Sequence, residues 1–307
     1  MDEYIKNLTK NFPERKTPLE LDLVIEGGAY NGFYGLGSLL LLKELEKQNY
    51  INVNRISGSS VGALFGTAFF FNKLNEIITH YQNVRDYYKE HLNMGCLEQL
   101  IEKMSKDIDE TMFKKIKNDK LFLTYYNKTS LKQKIMSKYK NKKELCQMLQ
   151  ASSHIPFMTS NTYFHKHNDN EYIDGGTPFI FKERKRGKNK KILYISIINL
   201  SKIGKSFSIK NEHTPHGRML EGIVDTYKLF ANETPSNMCS FVDDWSGLDF
   251  LKIRLKELAA VLFIYSLLMG NQAGEFIYPY VKDTKLYNLL IPFMLNLYRD
   301  FMMLTCF

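Results

Sequence analysis

Apolar and polar positions alternate along this chain in blocks of two different lengths. Leu21–Ile25 is a short, almost unbroken apolar run that stops at Gly27-Gly28. Behind Gly32 comes a longer run, FYGLGSLLLLKELEKQ, reaching about Gln48 and too apolar at its start for a surface helix. Asn52–Ser57 reads as a second short strand running into Gly58. Val61–Phe71 reads as a buried helix with Gly62 and Gly66 turned to the sheet. Strand–turn–helix, given twice in succession, predicts an α/β sheet with parallel neighbours.

Further along, residues 72–118 read as mostly helical, and Leu121–Tyr126 as a strand. Lys142–Ala151 predicts a helix that ends near Ser152-Ser153-His154-Ile155-Pro156. Glu171–Ile173 is a short strand delivering Asp174 into Gly175-Gly176, and Ile192–Leu200 is the longest strand-like run. From about residue 202 the pattern is helical with polar loops. The expected organisation is a loosely ordered lead-in over 1–20, an α/β domain over 21–201, and a mainly helical extension over 202–307 packed on it.

At 307 residues the chain is long enough for one large domain or a domain with an extension. The net charge of +9 attracts polyanions or an anionic membrane, or simply solubilises a lysine-rich surface. Cys96, Cys146, Cys239 and Cys306 show no metal-ligand spacing and no disulfide pattern, which points to a reducing compartment. The opening stretch MDEYIKNLTKNFPERK has no signal-peptide core, so an intracellular place is expected, cytoplasmic or peripheral on membranes or lipid droplets. Leu258–Met269 and Leu286–Phe307 are the nearest approaches to membrane spans. The second is interrupted by Pro292, Arg299 and Asp300, and both are expected to be buried helices. Core packing is likewise expected for Phe301, Met302, Met303, Leu304 and Phe307.

The candidate chemistry sits at the strand-to-helix junctions. Gly58-Ser59-Ser60-Val61-Gly62 is a G-x-S-x-G elbow, a sharp turn that lifts the serine clear of the backbone. At a helix N-terminus, Ser60 is also near a partial positive charge. Glu26-Gly27-Gly28-Ala29-Tyr30-Asn31-Gly32, about 30 residues upstream, is a glycine turn whose amides can hold a developing oxyanion. As a nucleotide loop it lacks the Lys-Ser/Thr of a P-loop, and Ala29 interrupts the dinucleotide fingerprint. A base is still needed. Asp174, at a strand end before two glycines, is placed to take a hydroxyl proton directly, although an ordinary aspartate-initiated turn has the same letters. A Ser-Asp-His arrangement with His213 or His216 is the rival. The elbow comes very early for the α/β-hydrolase order, and those histidines lack a strand-end context. His80 and His91 read as helix-surface residues, His154 as structural, and His165 and His167 as members of a polar loop.

The ordered set of glycine loop, G-x-S-x-G and D-G-G resembles the patatin-like phospholipase family over roughly residues 21–200. Ala151–Phe157 resembles that family's small-residue-then-proline segment. Lys142–Phe157 with Tyr172–Gly176 is similar to its adipose triglyceride lipase and adiponutrin branch. The resemblance implies a three-layer α/β/α fold and hydrolysis of phospholipid or acylglycerol esters. It implies Ser60 as nucleophile, Asp174 as base, and the amides of Gly28 and Ala29, with Gly27, around the oxyanion. Gly32, Gly58, Gly62, Gly175 and Gly176 are the motif glycines, and no metal or organic cofactor is implied. Ala29 stands where the family usually has glycine, its amide being usable if φ is negative. Asn31 stands where many plant and bacterial members carry a basic residue. The alternatives are a histidine-dependent esterase and a catalytically silent member that binds membranes or a partner.

Between Lys182 and Lys191 seven of ten residues are Lys or Arg. This segment can dock on anionic headgroups, at ~1 kcal/mol per basic residue near the surface, or serve as a nuclear localisation or nucleic-acid patch, or form a solvated hairpin loop. No nucleic-acid partner is expected.

Overall fold

In the computed structural model the apolar runs become the centre of an eight-stranded mixed sheet. The structure describes residues 1–10, 12, 15–116, 119–130, 132–160, 162–182, 189–198, 208–210 and 212–306. The strands are β1 (Leu19–Ile25), β2 (Ile51–Gly58), β3 (Leu121–Asn127), β4 (Lys132–Met136), β5 (His165–His167), β6 (Asn170–Asp174), β7 (Lys190–Ile195) and β8 (Cys239–Phe241). Their order is β5-β6-β3-β2-β1-β7-β8, with β4 also paired to β3. The central pairs β3/β2, β2/β1 and β1/β7 are parallel, and the outer pairs are antiparallel.

The helices are α1 (Asp2–Thr9), α2 (Gly32–Lys47), α3 (Val61–Phe70), α4 (Leu74–His91), α5 (Cys96–Lys106), α6 (Glu110–Ile116), α7 (Lys142–Ser152), α8 (His216–Asn232), α9 (Gly247–Val281) and α10 (Lys285–Cys306). β1 shows why the layers number three. Its alternate residues Leu21, Leu23 and Ile25 pack with α2 and α3 in the main core, as strand pleating requires. Val24, on the other face, packs with Phe181, Ile192, Tyr194 and Val242, with Ile253 of α9 against them. Farther along α9, Ile264 and Leu268 cover Tyr126 of β3 and Ile173 of β6. This is the α/β/α arrangement that the family resemblance implied, built on the parallel neighbours expected from the strand–helix alternation. On the first face α2 and α8 touch backbone to backbone: a Cβ at Gly37 would lie 1.9 Å from the Met219 carbonyl oxygen, and one at Gly222 2.0 Å from that of Tyr34.

Several local expectations are corrected. Residues 1–20 are not a loose lead-in: α1 buries Ile5 and Thr9, and β1 already begins at Leu19. His165 and His167 form β5 rather than a polar loop, because the hairpin through Asn168 and Asp169 pairs them with β6. The run Ile192–Leu200 is a strand only to Ile195, and residues 199–200 lie outside the described set. After residue 201, α8 packs on α2 and β8 joins the sheet beside β7. The apolar run Leu258–Met269 is not buried. Only one stripe of α9 meets the sheet, leaving Leu258, Leu262, Phe263 and Met269 more than half exposed. α10 is similar, with Leu289, Phe293 and Leu297 exposed. Met303 is exposed too, whereas Phe301, Met302, Leu304 and Phe307 lie outside the described side chains. Among the described residues, no helix is long and apolar enough to cross a membrane.

Candidate active site

The C-terminal ends of β1 and β2 lie side by side, since Ile25 pairs with Gly58. This brings the glycine turn and the G-x-S-x-G elbow together. Ser60 opens α3 with φ 53 and ψ −131, a conformation that side chains rarely adopt, and its side chain does not cap the helix. Two close approaches hold it there. A Cβ at Gly62 would meet the Glu26 carbonyl oxygen at 2.3 Å, and one at Gly27 would meet Ser60 Cβ at 2.7 Å. Gly58 ends β2, and Gly32 opens α2 against Val61.

Asp174 arrives from the other side of β3. It ends β6, pairs antiparallel with Tyr125, and its Oδ1 accepts the Gly176 amide at 2.8 Å. Oδ2 is sealed from solvent and has no hydrogen-bond partner among the described residues. Burial pushes this carboxyl up from 3.8 to about 6, against the opposite pull of the Ser60 hydroxyl and the Gly176 amide. Gln133, on the sequence-silent strand β4, fixes the turn after Asp174 by donating to the carbonyls of Gly175 and Thr177 at 2.8 and 2.7 Å.

One short segment ties the serine to the aspartate. The Ser60 amide donates to Ser152 Oγ at 3.1 Å, and Ser153 Oγ donates to the Ser60 carbonyl at 3.4 Å. The same segment receives the Gly175 amide on the Ser152 carbonyl and the Asp174 amide on the His154 carbonyl, at 3.3 and 2.9 Å. Only the pair of small residues ahead of Pro156 hinted at this positioning role.

The glycine turn is braced by a residue that the sequence left unremarked. Glu26 is buried and accepts hydrogen bonds from Tyr194 Oη at 2.6 Å, Ser196 Oγ at 2.7 Å and the amides of Ile197 and Ile198. Its charge is matched by Lys256 of α9, whose Nζ lies 3.0 Å away. Asn31 completes the brace by donating Nδ2–H to the Ile197 carbonyl at 2.5 Å, so it is a structural anchor there. Gly27, Gly28 and Ala29 donate their amides to no backbone acceptor among the described residues. The condition set for the Ala29 amide is not met: φ is 46, the left-handed region a glycine would take without strain.

A cavity opens from Ser60 between α4, α5 and the segment after α7. Phe33, Leu64, Phe65, Ile77, Leu97 and Met158 make its wall almost wholly apolar. Tyr30 and Tyr81 also line it, with hydroxyls that are buried and unpartnered among the described residues and are held neutral by burial. His213 and His216 are exposed at the start of α8, and neither lines this cavity. His154 is buried and His165 half-buried, and burial pushes both imidazoles down, His165 to about 4. The basic segment 182–191 falls largely outside the described residues, but Lys190 and Lys191 pair with Asp22 and Asp244.

A three-layer α/β/α sheet with both loops at the carboxyl ends of adjacent parallel strands places the site where such folds bind ligands. Residues 23–180, just over half of the chain, match the family model for patatin-like phospholipase. The chain belongs to the patatin-like phospholipase family, and lipid acyl hydrolysis is the general activity that this membership supports. No curated protein matches it.

Proposed function

We propose that this chain cleaves lipid acyl esters with Ser60 as nucleophile and Asp174 as general base. The observation that carries this reading is the cavity with Ser60 in its wall, whose almost wholly apolar lining suits an acyl chain. An ester laid along it presents its carbonyl to Ser60 Oγ. As the C–O bond forms, the hydroxyl proton passes to the unpartnered Oδ2 of Asp174. The amides of Gly27 and Gly28, which donate to no backbone acceptor among the described residues, are the donors for the growing negative charge on the carbonyl oxygen, the positive φ at Ala29 setting its amide aside. The alcohol leaves with a proton returned from Asp174, and water then releases the fatty acid from the acyl-serine. No cofactor takes part in these steps.

The likeness of Lys142–Phe157 and Tyr172–Gly176 to the adipose triglyceride lipase and adiponutrin branch adds neutral acylglycerols to phospholipids as candidate substrates. Such substrates sit in lipid aggregates. We assign the exposed apolar rows of α9 and α10, flanked by Lys252, Arg254, Lys282 and Lys285, to contact with that surface.

The test is product analysis by mass spectrometry on mixed phospholipid vesicles and on triacylglycerol emulsions. Ser60→Ala and Asp174→Asn are expected to abolish fatty-acid release, with His213→Ala close to wild type. Strong loss in His213→Ala or His216→Ala with Asp174→Asn tolerated would overturn the dyad. A fluorophosphonate probe that leaves Ser60 unlabelled in folded protein would favour a silent binding protein.

A further inference from the structure

We propose that Glu98, His154 and His165 form a site for one divalent transition-metal ion of the zinc type, separate from the catalytic pair. Three segments distant in sequence converge there: α5 supplies Glu98, the turn after α7 supplies His154, and β5 supplies His165. One ligand atom from each lies within 4.8 Å of the other two. His154 is only 2 % exposed, and its Nε2 has no partner among the described residues; the same holds for Nε2 of His165. A buried ring nitrogen without a partner forfeits a hydrogen bond that it would have made in water. Two such nitrogens, converging beside a carboxylate, are what a metal ion would satisfy together.

The donor set selects the ion. Two imidazoles and one carboxylate suit zinc and its transition-metal neighbours, whereas calcium and magnesium prefer all-oxygen sites. Around tetrahedral zinc, with bonds near 2.0–2.1 Å, ligand atoms stand roughly 3.4 Å apart, so the cluster must close by at most about 1.4 Å. Glu98 and His165 are both partly exposed and can rotate to do this, while buried His154 stays as the fixed point. The fourth position is open to water.

The place of the site gives it a consequence. His154 also offers its carbonyl to the Asp174 amide, and the two serines before it hold Ser60. An ion on the imidazole therefore fastens the segment that carries both ends of the catalytic pair.

Cobalt(II) titration of the full-length protein, followed by visible absorption and repeated with zinc as competitor, tests the proposal. Wild type is expected to bind one equivalent with the strong bands of tetrahedral cobalt and to lose them to zinc. Glu98→Gln and His165→Ala are each expected to weaken binding by at least about 100-fold, more than outer-shell losses cost, and His167→Ala to leave it unchanged. Zinc should raise the melting temperature of wild type and not of Glu98→Gln. His154→Ala should behave like the other ligand variants; if it does not fold, the two partly exposed positions still decide. Absence of stoichiometric binding to wild type would overturn the proposal, as would binding that survives both Glu98→Gln and His165→Ala.

Discussion

Gly27→Ala is the sharpest probe of the geometry around Ser60. The added methyl would stand 2.7 Å from Ser60 Cβ and 3.3 Å from the Ser59 carbonyl oxygen. Carbon atoms in ordinary contact sit about 3.5–4.0 Å apart, so the two must separate by roughly 0.8 Å or more. Neither side yields easily. Gly27 follows β1, which is paired on both edges, and Ser60 is held through its amide and its carbonyl by Ser152 and Ser153. A displacement of about 1 Å at a reacting atom costs on the order of 10²-fold in rate. A misaimed oxyanion donor costs a similar ~10²–10³-fold. The expected result is a fall in kcat of about 10²-fold or more on a short chromogenic ester, with fluorophosphonate labelling slowed in parallel. Gly270→Ala is the matched control, because nothing lies within 4 Å of its added methyl; in a helix it should stabilise by ~0.5–1 kcal/mol and leave rates alone. If Gly27→Ala keeps kcat/KM within a factor of about three of wild type, the close contact does not position the nucleophile and the reasoning fails.

Further outcomes follow from the same geometry. With chelator present, kcat/KM should rise with pH through about 6 and then level, because Asp174 must be ionised to accept the proton. For stability the sign is reversed. The folded state holds this proton more tightly, so the stability it contributes below pH 3.8 is lost as pH rises to about 6, and Asp174→Asn should flatten that part of a urea-unfolding profile. Ser60→Gly should be inactive yet more stable, by ~1 kcal/mol in urea denaturation, since strain of about 1–3 kcal/mol exceeds the backbone entropy cost of glycine. Ala29→Gly should gain up to ~1 kcal/mol by the same measurement with no loss of turnover, because φ of 46 disfavours any side chain. The double variant Leu258→Asp/Phe263→Asp should lower co-sedimentation with vesicles while sparing hydrolysis of a soluble ester, both side chains being more than half exposed.

The parallel centre of the sheet was legible because buried strands there are written as unbroken aliphatic runs, and the helices after them begin at glycines. The turns that carry Ser60 and Asp174 were legible because tight strand-end turns demand small residues in fixed order. Other parts left no such mark. KQKIM, which forms β4, has no apolar alternation because it lies on the sheet edge largely open to solvent. β8 is three residues long, too short for any period to register. Glu26 reads as a polar residue before a turn, and only the fold shows that Tyr194, Ser196 and Lys256 converge on it. Hydrophobicity misled in α9 and α10, where apolar content says nothing about whether a neighbour exists to cover it. The sign of φ at Ala29 was not legible because backbone conformation there is set by the turn and not by the residue's own preference.

The backbone contact of Gly37 with Met219, and of Gly222 with Tyr34, separates the unit of inheritance from the unit of folding. The family match ends at residue 180. The main core, however, is closed by Met219, Ile223, Leu229 and Phe230 of α8 and by Cys239 and Phe241 of β8. A fragment cut at the family boundary would strip the lid from α2 and, with β7 also gone, leave β1 as a raw sheet edge. Recombination or truncation in this lineage must therefore respect a boundary beyond Phe241, some sixty residues past the recognisable motif region.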